Sequence, residues 1–249
     1  MKRIVIASCL VFSFLVGAWP AQASYKEALI LVREGKWSRA MGEFEKLVKE
    51  GHAPSMFSLG LIYHLGRGVP RDLEKAYNLY KQSALGGHAP GVNNLGMMYL
   101  NGEHVAQNRF IAFKLFEKAS AEHAQAKDNL GQCFEHGWGI EADPEQAINF
   151  FQLAGDEGYK LGYFHLAQFY ENGGAGTKPN IQEAIRWYQA AGEDGFIKGY
   201  IRAAEIYEQG VNGIKVDLEK TLYYYQQAAD LNYRPAVRRV EELKKKLGI

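Results

Sequence analysis

Cysteine is all but missing from this chain: its 249 residues hold two, Cys9 and Cys133. Cys9 falls in an apolar stretch at the very start, so the body of the protein keeps one thiol, and a lone thiol makes no internal disulfide. A disulfide scaffold is excluded, and stability has to come from packing. An excess of either charge is missing too. Lys and Arg number 29 against 28 Asp and Glu, a formal net charge of +1, whereas nucleic acid or an anionic membrane selects a strong positive field. No apolar run reaches the roughly 20 residues of a spanning helix. Phosphate-cradling glycine loops, a nucleophile elbow and zinc-protease motifs are absent, and no cofactor is expected.

The chain opens with Met1, Lys2 and Arg3, then an apolar run over 4–18, then Ala21, Gln22 and Ala23. A basic head, a short apolar middle and small residues at a cleavage step describe a secretory signal peptide over 1–23. Cys9 lies too early in that run for a lipid-attachment cysteine. Cleavage after Ala23 removes Lys2 and Arg3 and no acid, moving the formal charge from +1 to −1. The expected product is soluble and unanchored, and either periplasmic or secreted.

Beyond this leader one pattern recurs five times. Asp72, Asn108, Asp143, Asn180 and Asp217 follow one another at intervals of 36, 35, 37 and 37. Four residues after each comes Ala76, Ala112, Ala147, Ala184 or Thr221, and eight after comes Tyr80, Phe116, Phe151, Tyr188 or Tyr225. Upstream, Leu59-Gly60, Leu95-Gly96, Leu130-Gly131, Leu166-Ala167 and Ala203-Ala204 recur in step, each with an aromatic residue at Tyr63, Tyr99, Phe134, Tyr170 or Tyr207. Self-similarity at a period in the thirties marks a stacked array rather than one closed core.

Within each unit the apolar residues step by three and one, the stripe of an amphipathic helix. First helices are predicted over 54–65, 90–101, 125–136, 161–172 and 198–209. Second helices are predicted over 73–85, 109–121, 144–156, 181–193 and 218–230, each starting after an Asp or Asn whose side chain can cap the free amides of the first turn. Glycine-rich turns join the two, and glycine tolerates the left-handed backbone of a helix end. In the second turn Glu103-His104 stand where a second glycine is expected, and the turns at 173–179 and 210–216 are longer. The small residues Gly60, Gly96, Gly131, Ala167 and Ala204 lie mid-helix, where glycine is disfavoured by about 1 kcal/mol. They are expected to admit the paired helix, with Ala76, Ala112, Ala147 and Ala184 opposite.

The fold class expected is therefore all-α: a right-handed α/α solenoid superhelix of about six helix-turn-helix repeats plus a C-terminal capping helix. Residues 24–52 form a degenerate leading repeat (Ala28, Leu31, a Gly35-Lys36 break, then Trp37, Ala40, Phe44 and Leu47). Five units occupy 53–88, 89–123, 124–159, 160–196 and 197–233. The cap is 234–249, with Val237, Val240, Leu243 and Leu247 on one face and the basic Lys244, Lys245 and Lys246 on its polar side, as the solvated end of an array requires.

The string 59–69, Leu-Gly-Leu-Ile-Tyr-His-Leu-Gly-Arg-Gly-Val, followed by Asp72-Leu73-Glu74-Lys75-Ala76, resembles the signature of the Sel-one-like repeat family, relatives of the tetratricopeptide repeats. Asn94-Leu95-Gly96-Met97-Met98-Tyr99 and Asn129-Leu130-Gly131 repeat it. The resemblance implies a curved α/α array that binds proteins or peptides as a scaffold or adaptor, for exported members in envelope assembly, signalling or host contact. Some exported relatives rich in cysteine pairs are discussed as β-lactam-binding enzymes. This chain has no such pairs.

Positions that vary between units are free to specify a partner. On the first helices one such face, spaced i, i+4, i+7, carries Phe57, Leu61 and His64; Asn93, Met97 and Leu100; Asp128, Gln132 and Glu135; Phe164, Gln168 and Glu171; and Ile201, Glu205 and Glu208. Its first two rows are mostly apolar and its last three carry acceptors, ending in Glu135, Glu171 and Glu208. The partner expected is a protein or peptide segment with apolar anchors at one end and basic residues at the other, held by a monomer. The competing account makes these side chains ordinary packing and solvated residues.

Features that look chemical have plainer explanations. His52, His88 and His123 occupy one place in successive units, on the order of 10 Å apart by helix packing distances, too far to share a metal ion. Cys133 fills the slot of Ile62, Met98, Phe169 and Ile206 and is expected to be a buried apolar residue. No catalytic or metal site is assigned. The alternatives to a scaffold are a cell-wall-active or β-lactam-hydrolysing enzyme, and a glycan-binding assembly factor using Trp37, Trp138 and Trp187 as stacking platforms.

Overall fold

A computed structural model describes residues 12–211 and 213–249, with side chains from residue 21 onward. The head of the expected signal peptide, residues 1–11, lies outside the described residues. Among the described residues the regular structure is entirely helical, and no helix is long and apolar enough to cross a membrane. The all-α, solenoid-type repeat class expected from the sequence is what the structure shows.

The chain divides into two compact units, Met1–Asn108 and Arg109–Ile249. The first contains α1 (Phe12–Arg33), α2 (Trp37–Lys49), α3 (Ala53–Leu65), α4 (Leu73–Leu85) and α5 (Ala89–Asn101). Each packs on the next in sequence, and α3 also reaches α5. The second contains α6 (Arg109–Ala119), α7 (Ala124–His136), α8 (Pro144–Asp156), α9 (Gly162–Asn172), α10 (Ile181–Glu193), α11 (Lys198–Gln209), α12 (Leu218–Asp230) and α13 (Arg234–Leu247), again packed neighbour on neighbour. Sequential contact of this kind is the energetic pattern of a repeat stack. α6 stops at Ala119, two residues short of its predicted end.

The punctuating residues do the work their chemistry suggests. The side chains of Asp72, Asp143, Asn180 and Asp217 accept from the amides of Lys75, Gln146, Glu183 and Lys220 at 2.9–3.2 Å, each cap stabilising its helix by about 1 kcal/mol. Their own amides do a second job that spacing alone did not reveal. Asp72, Asn108, Asp143, Asn180 and Asp217 each donate N–H to the carbonyl of the repeated aromatic residue, Tyr63, Tyr99, Phe134, Tyr170 or Tyr207, at 2.7–3.0 Å. One bond closes the turn in every repeat, whatever its length.

Behind these turns the repeated slots are buried. Ala76, Ala112, Ala147, Ala184 and Thr221 are fully buried. So are Leu59, Leu95, Leu130, Leu166 and Ala203, and the slot of Ile62, Met98, Cys133, Phe169 and Ile206. Burying one such large side chain is worth about 1.5–3 kcal/mol. The mid-helix glycines make room for rings rather than for the alanines opposite. A Cβ on Gly60 would lie 2.9 Å from the Tyr80 ring, and one on Gly131 2.6 Å from the Phe151 ring. A second repeated slot of small residues lies in the first turn of the first helices, Ser55 and Gly91 in the first unit and Ala126, Gly162, Gly199 and Ala236 in the second, all buried. In the second unit a Cβ on Gly162 would meet the Gly155 amide at 2.4 Å, and one on Gly199 the Tyr188 carbonyl at 2.2 Å.

In the leading segment Ala28, Leu31, Ala40, Phe44 and Leu47 are buried, and the cleavage step expected after Ala23 falls within α1. On α13 the buried face is Ala236, Val240 and Leu243, while Val237 is 42% exposed. Val237 was expected on the buried face; the stripe instead passes through Ala236, where a small residue lets the helix sit close.

Candidate protein-binding face

In the first unit the candidate face begins on α3. Phe57 is half-buried, with its ring 5.5 Å from that of His88 and 6.0 Å from that of Tyr80. Leu61, one turn on, is half-buried. His64 Nε2 lies 3.1 Å from a Glu103 oxygen, and its Nδ1 lies 3.4 Å from the Tyr80 hydroxyl. Glu103 is thus more than a missing turn glycine: it ties the second turn to His64 and, at 3.5 Å, to Arg71. His104 beside it adopts φ 65, at the turn position where Gly68 has φ 73. On α5, Met97 and Leu100 are half-buried, but Asn93 is fully buried. Asn93 therefore leaves the candidate face.

In the second unit Asp128 leaves it as well, being 1% exposed. A buried carboxylate needs partners. His165 Nδ1 lies 2.8 and 3.0 Å from its two oxygens, and Gln132 donates to it at 2.9 Å. Since a carboxylate only accepts, Nδ1 carries the proton. Phe164 packs its ring 4.9 Å from Phe196 and 5.3 Å from Tyr188. Gln132, Gln168 and Ile201 are half-buried.

The glutamates expected to receive basic residues of a partner are already engaged within the chain. Glu171 accepts from the Tyr188 hydroxyl at 2.5 Å and from both Nε (3.2 Å) and Nη2 of Arg202. Arg202 also donates to Glu205 at 2.8 Å. Glu208 accepts from Arg239 and, at 3.4 Å, from the Tyr225 hydroxyl. Burial pushes the Glu171 carboxyl up, and the Arg202 and Tyr188 hydrogen bonds together more than reverse it, leaving the group below the usual carboxylate range. Glu135 differs. Burial dominates and holds its carboxyl above that range, with His136 and His165 pulling the other way. The residues that meet the acids of this face, His165 at Asp128, Arg202 at Glu171 and Arg239 at Glu208, recur at intervals of 37. That spacing is present in the sequence, where the column of cations and the column of acids vary together.

The histidines before the first helices behave as expected of turn residues. His52 and His88 in the first unit and His123 in the second sit at helix N-caps with extended backbones. His52 Nδ1 pairs with Ser55 Oγ at 2.8 Å. Among the described residues no group of three or more His, Cys, Asp or Glu side chains is placed to hold a metal ion. Cys133 is fully buried and its thiol is pushed up to about 12 by that burial, which leaves essentially no thiolate at neutral pH. The tryptophans are engaged in packing. Trp37 lies under the turn at Gly68, Trp138 lies against His136 (4.7 Å) with Arg109 over its ring (5.8 Å), and Trp187 is stacked on Tyr163 at 5.5 Å.

The repeat geometry has a family. A family model for the Sel1 repeat matches residues 53–88, 89–122, 124–159, 160–196 and 197–233, more than half of the chain. The chain belongs to the Sel1 repeat family. A Sel1 repeat protein from Oxalobacter formigenes superposes with TM-score 0.71 at 28% identity, covering 86% of this chain and 87% of that one. An immunity protein from Pseudomonas aeruginosa (TM-score 0.59, 21% identity, 86% and 82% covered) and a protective antigen of uropathogenic Escherichia coli with an SLR fold (TM-score 0.55, 20% identity, 91% and 57% covered) share the fold. Among curated proteins, DAP3-binding cell death enhancer 1 of Rattus norvegicus is 33% identical over 145 residues, 57% of this chain but 28% of that protein. Sel1 repeats are typical of protein–protein interaction scaffolds and are generally non-enzymatic.

Proposed function

We propose that this Sel1 repeat chain is an exported, non-catalytic adaptor that holds a segment of another protein against the first helices of its first unit, in envelope assembly, signalling or host contact. The observation that carries the proposal is the half-exposed apolar set Leu61, Met97 and Leu100, on positions that vary between repeats. The counterparts of Leu100 in the second unit, Glu171 and Glu208, are occupied by internal cations. Apolar anchors supply most of the affinity of an interface, with charges adding orientation and on-rate. Export rests on the sequence pattern of residues 1–23 and places the protein in the periplasm or outside the cell.

The test has two arms. Fractionation with N-terminal sequencing should find a chain beginning at Ser24 in the periplasm or medium; full-length protein confined to the cytoplasm would overturn the export arm. Crosslinking in the envelope should trap a partner that the triple variant Leu61→Glu, Met97→Glu, Leu100→Glu loses while still melting as a folded protein. Equal trapping by both forms would overturn the face.

A further inference from the structure

We infer that a cleft between α1, α2 and α3 is a docking pocket for one bulky apolar side chain of a partner segment that carries a carboxylate next to it. The inference rests on the adaptor function proposed above and specifies its partner. The cleft has a volume of about 240 Å³, below the roughly 300–1,000 Å³ of small-molecule sites, and is scaled to a single side chain. Leu29 and Val32 of α1, Trp37 of α2, and Leu61 and Leu65 of α3 form its walls. Leu65 among them is 54% exposed, so the cleft opens to solvent on that side. The one polar side chain inside, Ser58, is already paired with the Tyr25 hydroxyl at 3.1 Å, so an apolar guest orphans no hydrogen-bonding group.

Arg67 stands at the mouth. Several other cations of this unit are engaged: Lys36 with Glu34, Arg71 with Glu103, Lys75 with Asp72. Arg67 is exposed and makes no ion pair with a described residue. Its turn is held in place, since a Cβ on Gly68 would meet the Trp37 Cβ at 2.3 Å. Wall and cation thus share one rigid corner, which lowers the ordering cost of binding. The sequence expectation put basic residues at the far end of the face; beside the anchor the partner is acidic.

The experiment presents the purified protein to an array of peptides with randomised flanks around a fixed Leu-Asp, Phe-Asp, Leu-Lys or Ala-Asp centre. Affinities of the best binders are then measured for the wild type and for Leu61→Trp, Leu65→Glu and Arg67→Glu, each checked for an unchanged melting curve. Leu-Asp and Phe-Asp peptides should bind, with Ala-Asp weaker by about tenfold or more. Leu61→Trp, which fills the cleft, should cost a similar factor; Leu65→Glu covers the case in which Leu61→Trp misfolds. Arg67→Glu should reverse the preference toward Leu-Lys. A wild-type preference for Leu-Lys, the absence of any binder, or affinities indifferent to all three variants would overturn the pocket. Binders that ignore these variants but are lost in Met97→Glu would overturn the pocket while sparing the adaptor function.

Discussion

The two units put opposite chemistry at equivalent positions. In the second, Glu171 and Glu208 are each met by an arginine from the next first helix and by a tyrosine from the intervening one, Arg202 with Tyr188 and Arg239 with Tyr225. In the first, the same positions are His64, facing Glu103, and Leu100, half-buried. Sequence variation between repeats thus has two physical meanings. In one unit it is coupled variation that staples neighbouring hairpins. In the other it leaves apolar side chains at the surface.

This contrast can be broken from several sides. The largest expected effect lies in the close crossing of the second unit. Gly199→Ala sets a methyl against the backbone carbonyl of Tyr188 and should cost about 2–3 kcal/mol, whereas Gly91→Ala in the first unit meets a side chain, that of Ser83 (Oγ 2.4 Å, Cβ 2.7 Å), which can yield by giving up its bond to the Ala53 carbonyl, and should cost less. Urea melts of both variants measure the difference. Next, Glu171→Gln should destabilise by about 1.5–3 kcal/mol, while Leu61→Glu and Met97→Glu should each cost about 1 kcal/mol. Equal losses in the two units would erase the distinction between staple and open face.

Acid sharpens the comparison within the second unit. Glu171 titrates below its unfolded value, so its contribution is present above the usual carboxylate range and is lost as pH falls through its folded value. Glu135 titrates above its unfolded value, so its charge opposes folding at neutral pH and the penalty disappears on acidification. Stability curves from pH 7 to 3 should therefore show Glu135→Gln equal to or more stable than wild type at pH 7 and converging with it in acid. Glu171→Gln should be less stable at pH 7 and approach the wild type as pH falls. The smallest effect, of opposite sign, is at the second turn. His104 holds φ 65, a left-handed conformation that costs a non-glycine residue about 1 kcal/mol. His104→Gly should raise stability by up to about 1 kcal/mol, less whatever the Tyr77 ring contact at 5.5 Å contributes.

Much of the architecture was legible from spacing because each repeated residue answers a local demand. Asp72 and Asp143 cap the helix that follows them, and Leu59 or Cys133 falls on the stripe that must be buried. These depend on the nearest dozen residues. The candidate face was less legible. Asp128 lies on the same helical stripe as Gln132, but His165 of the next hairpin covers the start of that stripe. Burial of Asp128 depends on His165, 37 residues away. The small slot at Ser55, Gly91, Ala126, Gly162, Gly199 and Ala236 was not legible, because a small side chain in a first turn leaves no mark on a hydrophobic pattern.

What followed from the sequence by itself was the repeat, its period, its caps and its buried slots, because the forces behind them act within one helical hairpin. What only the tertiary structure decided was which varying side chains remain open to solvent. That outcome depends on side chains a full repeat apart: Arg202 of α11 reaches Glu171 of α9, whereas Arg67 makes no ion pair with a described residue although Arg71 in the same turn meets Glu103.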